Sequence, residues 1–364
     1  MNKNILSRIW FNIQTVLFPY LEEELESLTA KQKQLICALE LIRIEDFIQE
    51  PNIRYRGRPL KNRKAIARAF MAKAVYNFQT TRILIEQLHA SIKLRRICGW
   101  EKAGELPSES VFSRSFAEFA QTELAQKVHE ALIKAHTSKR LIGHISRDST
   151  AIEAREQARK RTRNKMSKRK VGRPKKGEKA IKEKSRLQKQ LECESITDML
   201  SALPKSCDWG YKINSQGKGA YWKGYKLHVD FADGGIPISC VLTSASLYDN
   251  QVAIPLAERT RTKVTSLYDL MDAAYDAKEI KEHSYSLGHV PIIKPNKRRG
   301  KTIEMEPAQA KRYRERINAE RGFSRLKEDF GAKHIRIKGH TKVMAHLMFG
   351  ILALTVDSLI KFIV

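Results

Sequence analysis

Acid is in short supply along this chain. Against 68 Lys and Arg there are only 40 Asp and Glu, which leaves a formal net charge of +28. So lopsided a balance points to a polyanionic partner, because Lys and Arg gain affinity by releasing phosphate counterions. Cysteine is scarce as well. Cys37, Cys98, Cys193, Cys207 and Cys240 are odd in number, widely spread and form no Cys-x-x-Cys pair. A disulfide framework is disfavoured, and a reducing cytosol is the expected compartment. Cys193, Cys207 and His228 follow no zinc-ligand spacing. Long apolar runs are wanting too. Residues 343–364 come nearest to a membrane span, but His346, Asp357 and Lys361 interrupt them. The charge-free run falls below the ~20 residues a span needs, so a buried helix and no membrane partner are expected. The opening residues carry no small-residue cleavage site, and no internal repeat is visible.

What is present suffices for a folded protein. The 364 residues fit about two or three domains, and 42% hydrophobic residues can bury a sizeable core. Residues 1–53 read as helices, with a capping-box pattern at Thr29-Ala30-Lys31-Gln32. A basic turn at Arg56-Gly57-Arg58-Pro59 opens a helical block over 54–138. Within it Pro107-Ser108 starts a helix whose Val111, Phe112, Ser115, Phe116 and Phe119 form one core stripe. Arg82, Lys93, Arg95, Arg96 and Arg114 are candidate DNA contacts of this block, which suits major-groove docking.

A short apolar strand over residues 141–145 follows, and Asp148 closes it. Between Arg155 and Gln190 there are 17 Lys or Arg against Glu156, Glu178 and Glu183, a net +14. This is expected to be a mobile or partly helical arm inside a basic insertion over 155–221. Beyond Trp222, Tyr225, Leu227, Val229 and Phe231 alternate with Lys226, His228 and Asp230, the pattern of a half-buried strand. Asp233-Gly234-Gly235 turns it into a hairpin. Helices and strands then alternate to about residue 340. The whole predicts a mixed-sheet α/β domain over 139–340 behind an all-helical N-terminal domain, with an apolar helix at 341–364.

The residues best suited to chemistry lie in a helix expected to run unbroken over 311–330. Tyr313, Arg316, Glu320 and Lys327 fall within an arc of about 60° on it, along roughly 21 Å. On that geometry alone they are a solvated face with Arg–Glu pairing. Asp148 and Asp272, each closing a strand, add two carboxylates. Three convergent carboxylates suit magnesium, a hard ion that prefers oxygen ligands, and two such ions can bind the attacking and leaving oxygens of a phosphodiester. Asp230, Asp249 and Asp269 are rival acids, with Asp269 on the strand face opposite Asp272. Asp276-Ala277-Lys278-Glu279 reads as an N-cap with a capping box.

The spacing Tyr313-x2-Arg316-x3-Glu320-x6-Lys327 resembles the YREK signature of bacterial insertion-sequence transposases of the DDE class. Arg147-Asp148-Ser149-Thr150-Ala151-Ile152-Glu153 looks like their first-aspartate motif, and Met271-Asp272-Ala273-Ala274-Tyr275-Asp276 like the second. Gly224-Tyr225-Lys226-Leu227-His228 resembles the strand between. The resemblance runs from about residue 60 to the end. It implies an RNase-H-like catalytic domain, with Asp148, Asp272 and Glu320 as a catalytic triad that binds Mg2+, or Mn2+ in its place. It further implies that Tyr313, Arg316 and Lys327 contact DNA near the cleaved phosphate, and Lys223 and Lys226 are added as DNA contacts. Arg56, Arg58 and Arg173 sit in basic turns that resemble minor-groove hooks. The interval between Asp272 and Glu320 contains no tryptophan, so the residue that stacks a flipped base in hairpin-forming relatives is not identifiable there.

The expected protein is thus a bacterial, cytoplasmic, nucleoid-associated transposase. It binds double-stranded terminal repeats, cuts and joins DNA with magnesium, and works as a homodimer in the synaptic complex. The alternatives are a catalytically inactive DNA-binding relative and a two-metal nuclease without strand transfer.

Overall fold

Local signals start the helices. The computed structural model describes residues 3–49, 61–137, 140–160, 184–213, 217–295 and 304–361. The Thr29 capping box opens the Ala30–Ile42 helix, and the side chains of Asn62, Thr80 and Ser91 cap the helices Arg63–Val75, Thr81–Ala90 and Ile92–Cys98. Each cap supplies an acceptor to an N–H that has no partner within its helix. Ser108 precedes the Glu109–Gln121 helix, in which Phe112, Ser115, Phe116 and Phe119 are buried as the spacing predicts. The Leu124–Thr137 helix completes the block.

Six strands make one mixed sheet: β1 Leu141–Glu153, β2 Asp208–Ile213, β3 Gly219–Ala232, β4 Ile236–Ser244, β5 Thr265–Met271 and β6 Val290–Ile293. The order is β2–β3–β1–β5–β6, with β4 also paired to β3. The β1–β5 and β5–β6 pairs are parallel; β3 runs antiparallel to β1, β2 and β4. The Asn250–Arg261 helix lies on the face of Arg147 and Asp230, where Thr260 donates a hydrogen bond to Asp230. The Ile317–Glu328 helix lies on the other face, with Phe323 edge-on to Phe231 at 5.2 Å.

The N-terminal helices and the sheet share a single buried core, which runs from Leu35, Phe70 and Phe112 through to Ile145, Leu227 and Phe231. The C-terminal helix, His340–Lys361, joins them. It is long and apolar enough to cross a membrane, yet 83% of its most apolar window is buried inside the protein. It packs on four N-terminal helices and on β4. That burial accounts for its composition without a bilayer.

Four expectations need correction. β1 does not stop near residue 145; it continues to Glu153, with Asp148 in mid-strand. Its second half is polar, and pairing with β3 rather than apolar alternation keeps it extended. Regular structure is present soon after residue 184, well before Trp222. The short helices Arg186–Leu191 and Ile196–Ser201, then β2, fill the supposed insertion. Their few apolar anchors, Leu187 and Met199, dock on Ala253, Ile254 and Tyr275, too sparse a pattern for periodicity to register. The helix over 311–330 is broken: Pro307–Tyr313 and Ile317–Glu328 are separated by a 3-10 turn at Arg314–Arg316. Finally, Asp276 is not an N-cap. Ala277 begins the Lys278–Ser286 helix, and Asp276 pairs with Lys281 at 2.6 Å.

Candidate active site

The site forms where the parallel pairing of β1 and β5 ends. Arg147 and Met271 are the last partners in register, so the next residues of the two strands, Asp148 and Asp272, emerge side by side. Asp148 takes the Ser149 backbone N–H at 2.8 Å. Asp272 leaves β5 as the cap of a 3-10 turn, accepting from the Ala274 N–H at 2.9 Å.

The third carboxylate arrives on the Ile317–Glu328 helix. Ala319, Phe323 and Leu326 bury one face of that helix, and Glu320 follows on the open side. Gly322 permits the approach. A Cβ there would lie 2.4 Å from the Phe231 ring, so any larger residue would push the helix, and Glu320 with it, off β3. Ser146 ties the preceding 3-10 turn to β1 by donating to the Glu315 carbonyl at 3.3 Å.

Arg316 sits among the three acids. It donates to Asp148 at 2.7 Å and to Glu320 at 2.8 Å, and stands 3.8 Å from Asp272. Exposure rises across the set, with side chains 17%, 37% and 62% accessible for Asp148, Asp272 and Glu320. Burial lifts the Asp148 carboxyl to about 6, assisted by the charges of Asp272 and Asp249 and opposed by Arg316. Burial alone would loosen the Arg316 proton, but the surrounding carboxylates more than offset this and hold it charged. Tyr313 is raised by burial and stays a neutral hydroxyl.

Among the described residues no group of three His, Cys, Asp or Glu is arranged to hold a metal as it stands. The guanidinium lies between the acids. The donor set itself fits a divalent cation: three carboxylates, all hard oxygen ligands, from three segments far apart in sequence and meeting at one centre of positive charge.

Other candidates fall elsewhere. Asp230 is fully buried against Arg147, and Asp269 accepts from Ser284 and lies 3.3 Å from His289. Asp249 pairs with Lys226 at 3.0 Å. That pairing, with a bond to the Leu247 carbonyl, takes the Lys226 ammonium to the sheet face opposite Asp148. Lys226 is therefore not a free charge for DNA. Lys327 is partly buried, its ammonium pushed down by burial and then by the charge of Lys212. Arg95 is buried and donates to the Leu88 and His89 carbonyls, so it is structural. Arg56, Arg58 and Arg173, with most of the basic arm, lie outside the described residues.

Sequence reasoning missed a ribbon. β2 and the first half of β3 pair beyond the end of β1 and expose Trp209, Tyr211 and Tyr221, with Lys223 opposite Trp209. The period-two pattern Trp209, Tyr211, Ile213 was the available signal. Gly224 marks its base. A Cβ there would fall 2.1 Å from the Ile152 carbonyl oxygen, so only glycine fits where the ribbon leaves the sheet.

Comparison with known families agrees with this layout. The family model described as Transposase DDE domain matches residues 139–356, and one described as Transposase domain (DUF772) matches residues 23–118. Searches of curated proteins and of solved structures returned no match. With the first model spanning more than half its length, the chain belongs to the DDE transposase family.

Proposed function

We propose that the protein binds the terminal inverted repeats of a bacterial insertion sequence, cleaves at their ends and joins the 3′-hydroxyl to target DNA. One observation carries this: Asp148 from the middle of β1, Asp272 from the end of β5 and Glu320 from a helix converge on the Arg316 guanidinium. These three residues would hold divalent metal, Mg2+ by preference. When bound, the metal supplies an activated water or hydroxyl and neutralises charge on the phosphate.

The protein's own groups position the DNA. Arg316 offers a planar fork suited to phosphate oxygens, and Lys327 a point charge on the helix that follows it. Tyr313, kept protonated, donates a hydrogen bond. Lys223 and the exposed aromatic ribbon extend this surface. The N-terminal helical block recognises the repeat, and two copies pair the ends as a homodimer in the cytoplasm. A second function, DNA binding without catalysis, takes support from Arg316, whose guanidinium already pairs with two of the three acids.

Glu320→Gln and Glu315→Gln separate the two. Both keep side-chain shape, but among the described residues the exposed Glu315 carboxylate accepts a hydrogen bond only from Asn318. On one end-bearing duplex, with magnesium against calcium, Glu320→Gln should bind normally and fail to nick. Glu315→Gln should nick as the parent does. Nicking by Glu320→Gln would remove the triad; no nicking by the parent would favour the binding-only function.

A further inference from the structure

Away from the acidic site, a cavity of about 290 Å³ opens between the Arg63–Val75 and Glu109–Gln121 helices and the start of the C-terminal helix. Phe70, Phe116 and Phe349 line it, their ring centres 4.9 to 6.4 Å apart. Into this apolar floor comes Lys73, only 5% exposed. Its ammonium has no hydrogen bond or ion pair among the described residues, and burial alone pushes its proton affinity down, to about 8. A buried ammonium without a counter-charge is costly to keep.

The rest of the lining has the same sign. Lys338 and Lys342 are exposed on the cavity wall, and Thr81 and Ser113 contribute hydroxyls. Glu109 is the one carboxylate there among the described residues, and Arg82 at 3.6 Å already shares it. His346 bonds to the Gly331 carbonyl at 3.0 Å, and burial pushes it down to about 3, so it adds no charge and no counter-charge. Three ammonium groups thus face one partnered acid. An oxyanion of one or two charges with several acceptor oxygens completes such a set, and a phosphate group offers both.

We propose that this cavity is an anion site for a phosphate group, with Lys73 as its inner contact and Lys338 and Lys342 at its mouth. The volume accepts a phosphate with its attached sugar but not a duplex. The phosphate therefore comes from a DNA strand passing the opening or from a free phosphorylated molecule. Nothing in this depends on whether the chain cuts DNA.

The test uses the full chain and inorganic phosphate. Thermal unfolding is followed in phosphate and in chloride at matched ionic strength. A ligand that binds only the folded state raises Tm in a saturable way. The parent should show that rise. Lys73→Met, close in length but uncharged, should melt higher than the parent in chloride and show no phosphate-specific rise. Lys342→Gln, at an exposed position, should keep the rise but need several-fold more phosphate to reach it.

DNA affinity against salt then identifies the source. If a backbone phosphate fills the cavity, Lys73→Met lowers the slope of log affinity on log salt by about one. An unchanged slope, with the phosphate response lost, assigns the site to a free phosphorylated molecule. Equal phosphate responses in parent and Lys73→Met, or none in the parent, would overturn the proposal.

Discussion

Arg147 and Asp148 are consecutive on β1, and each belongs to an arginine–aspartate pair, but the pairs on the two faces of the sheet are built differently. Arg147 is sealed in. It donates twice to Asp230 at 2.8 Å, Thr260 donates to the same carboxylate at 2.7 Å, and neither partner is more than 2% exposed. Charge and hydrogen bonding balance there. Across the sheet, one guanidinium serves Asp148, Glu320 and Asp272, three acids against one base, a formal −2. Its Nε has no hydrogen-bond partner among the described residues. The balanced pair has nothing left to bind and acts as a rivet. The unbalanced cluster keeps charge in reserve, which a cation can satisfy. Lys73 is the same imbalance with the sign reversed.

The largest effects should come from breaking each pair at its aspartate. Asp230→Asn strands a buried guanidinium, and removing one partner of such a pair costs about 3–5 kcal/mol. Asp148→Asn removes a carboxylate that burial already disfavours, so stability should move by less than about 1 kcal/mol. Cutting of end-bearing DNA should fall by on the order of 10³, the scale of losing one preorganised electrostatic group. Urea midpoints and nicking rates for both variants decide the matter. If Asp148→Asn is as destabilising as Asp230→Asn, the distinction between rivet and reserve is wrong.

Much of this was legible in the residues, and what was not has physical causes. The hairpin at Asp233-Gly234-Gly235 and the buried Phe112–Phe119 stripe follow from turn chemistry and periodicity, and both are present. Asp148 and Asp272 could be named from motif, yet their adjacency depends on the β1–β5 register, which no local pattern encodes. The position of Arg316 was hidden because the 3-10 turn at Arg314–Arg316 breaks the assumed helical spacing. Lys226 looked like a DNA contact until its partner, Asp249, came in from 23 residues along the chain.

An intermediate effect tests unbalanced charge through pH. Burial, and after it the charge of Lys73, push His346 down to about 3, against the Gly331 carbonyl that favours its proton. The unfolded chain titrates near 6.5. Between those values the unfolded state takes a proton that the folded state refuses. His346 therefore costs nothing above about pH 6.5, and stability is lost as pH falls from there toward 3. Solvent reaching the ring through the cavity moderates the loss, so about 1–2 kcal/mol is expected by pH 5. Because other histidines are also held neutral, the quantity to measure is the difference between parent and His346→Gln. Their stabilities should converge toward neutral pH and diverge in acid, with the variant the more resistant. Parallel curves from pH 7 to 5 would show that the site does not refuse the proton.

The smallest effect sharpens the same contrast on one strand. Lys223 and Lys226 lie three residues apart on β3. Lys226 has an ion pair with Asp249 and a carbonyl to bond, and its side chain is 12% exposed. Lys223 stands on the ribbon opposite Trp209, with no ion pair among the described residues. Lys226→Gln should cost about 1 kcal/mol of stability, the scale of one such bond, and leave the salt dependence of DNA binding alone. Lys223→Gln should leave stability alone and weaken binding a few-fold on any duplex, because a phosphate contact carries little sequence information. Its slope of log affinity against log salt should drop by about 0.9, one phosphate's share. Equal slopes for the two variants would mean that being unpaired is not what makes a lysine here available to DNA.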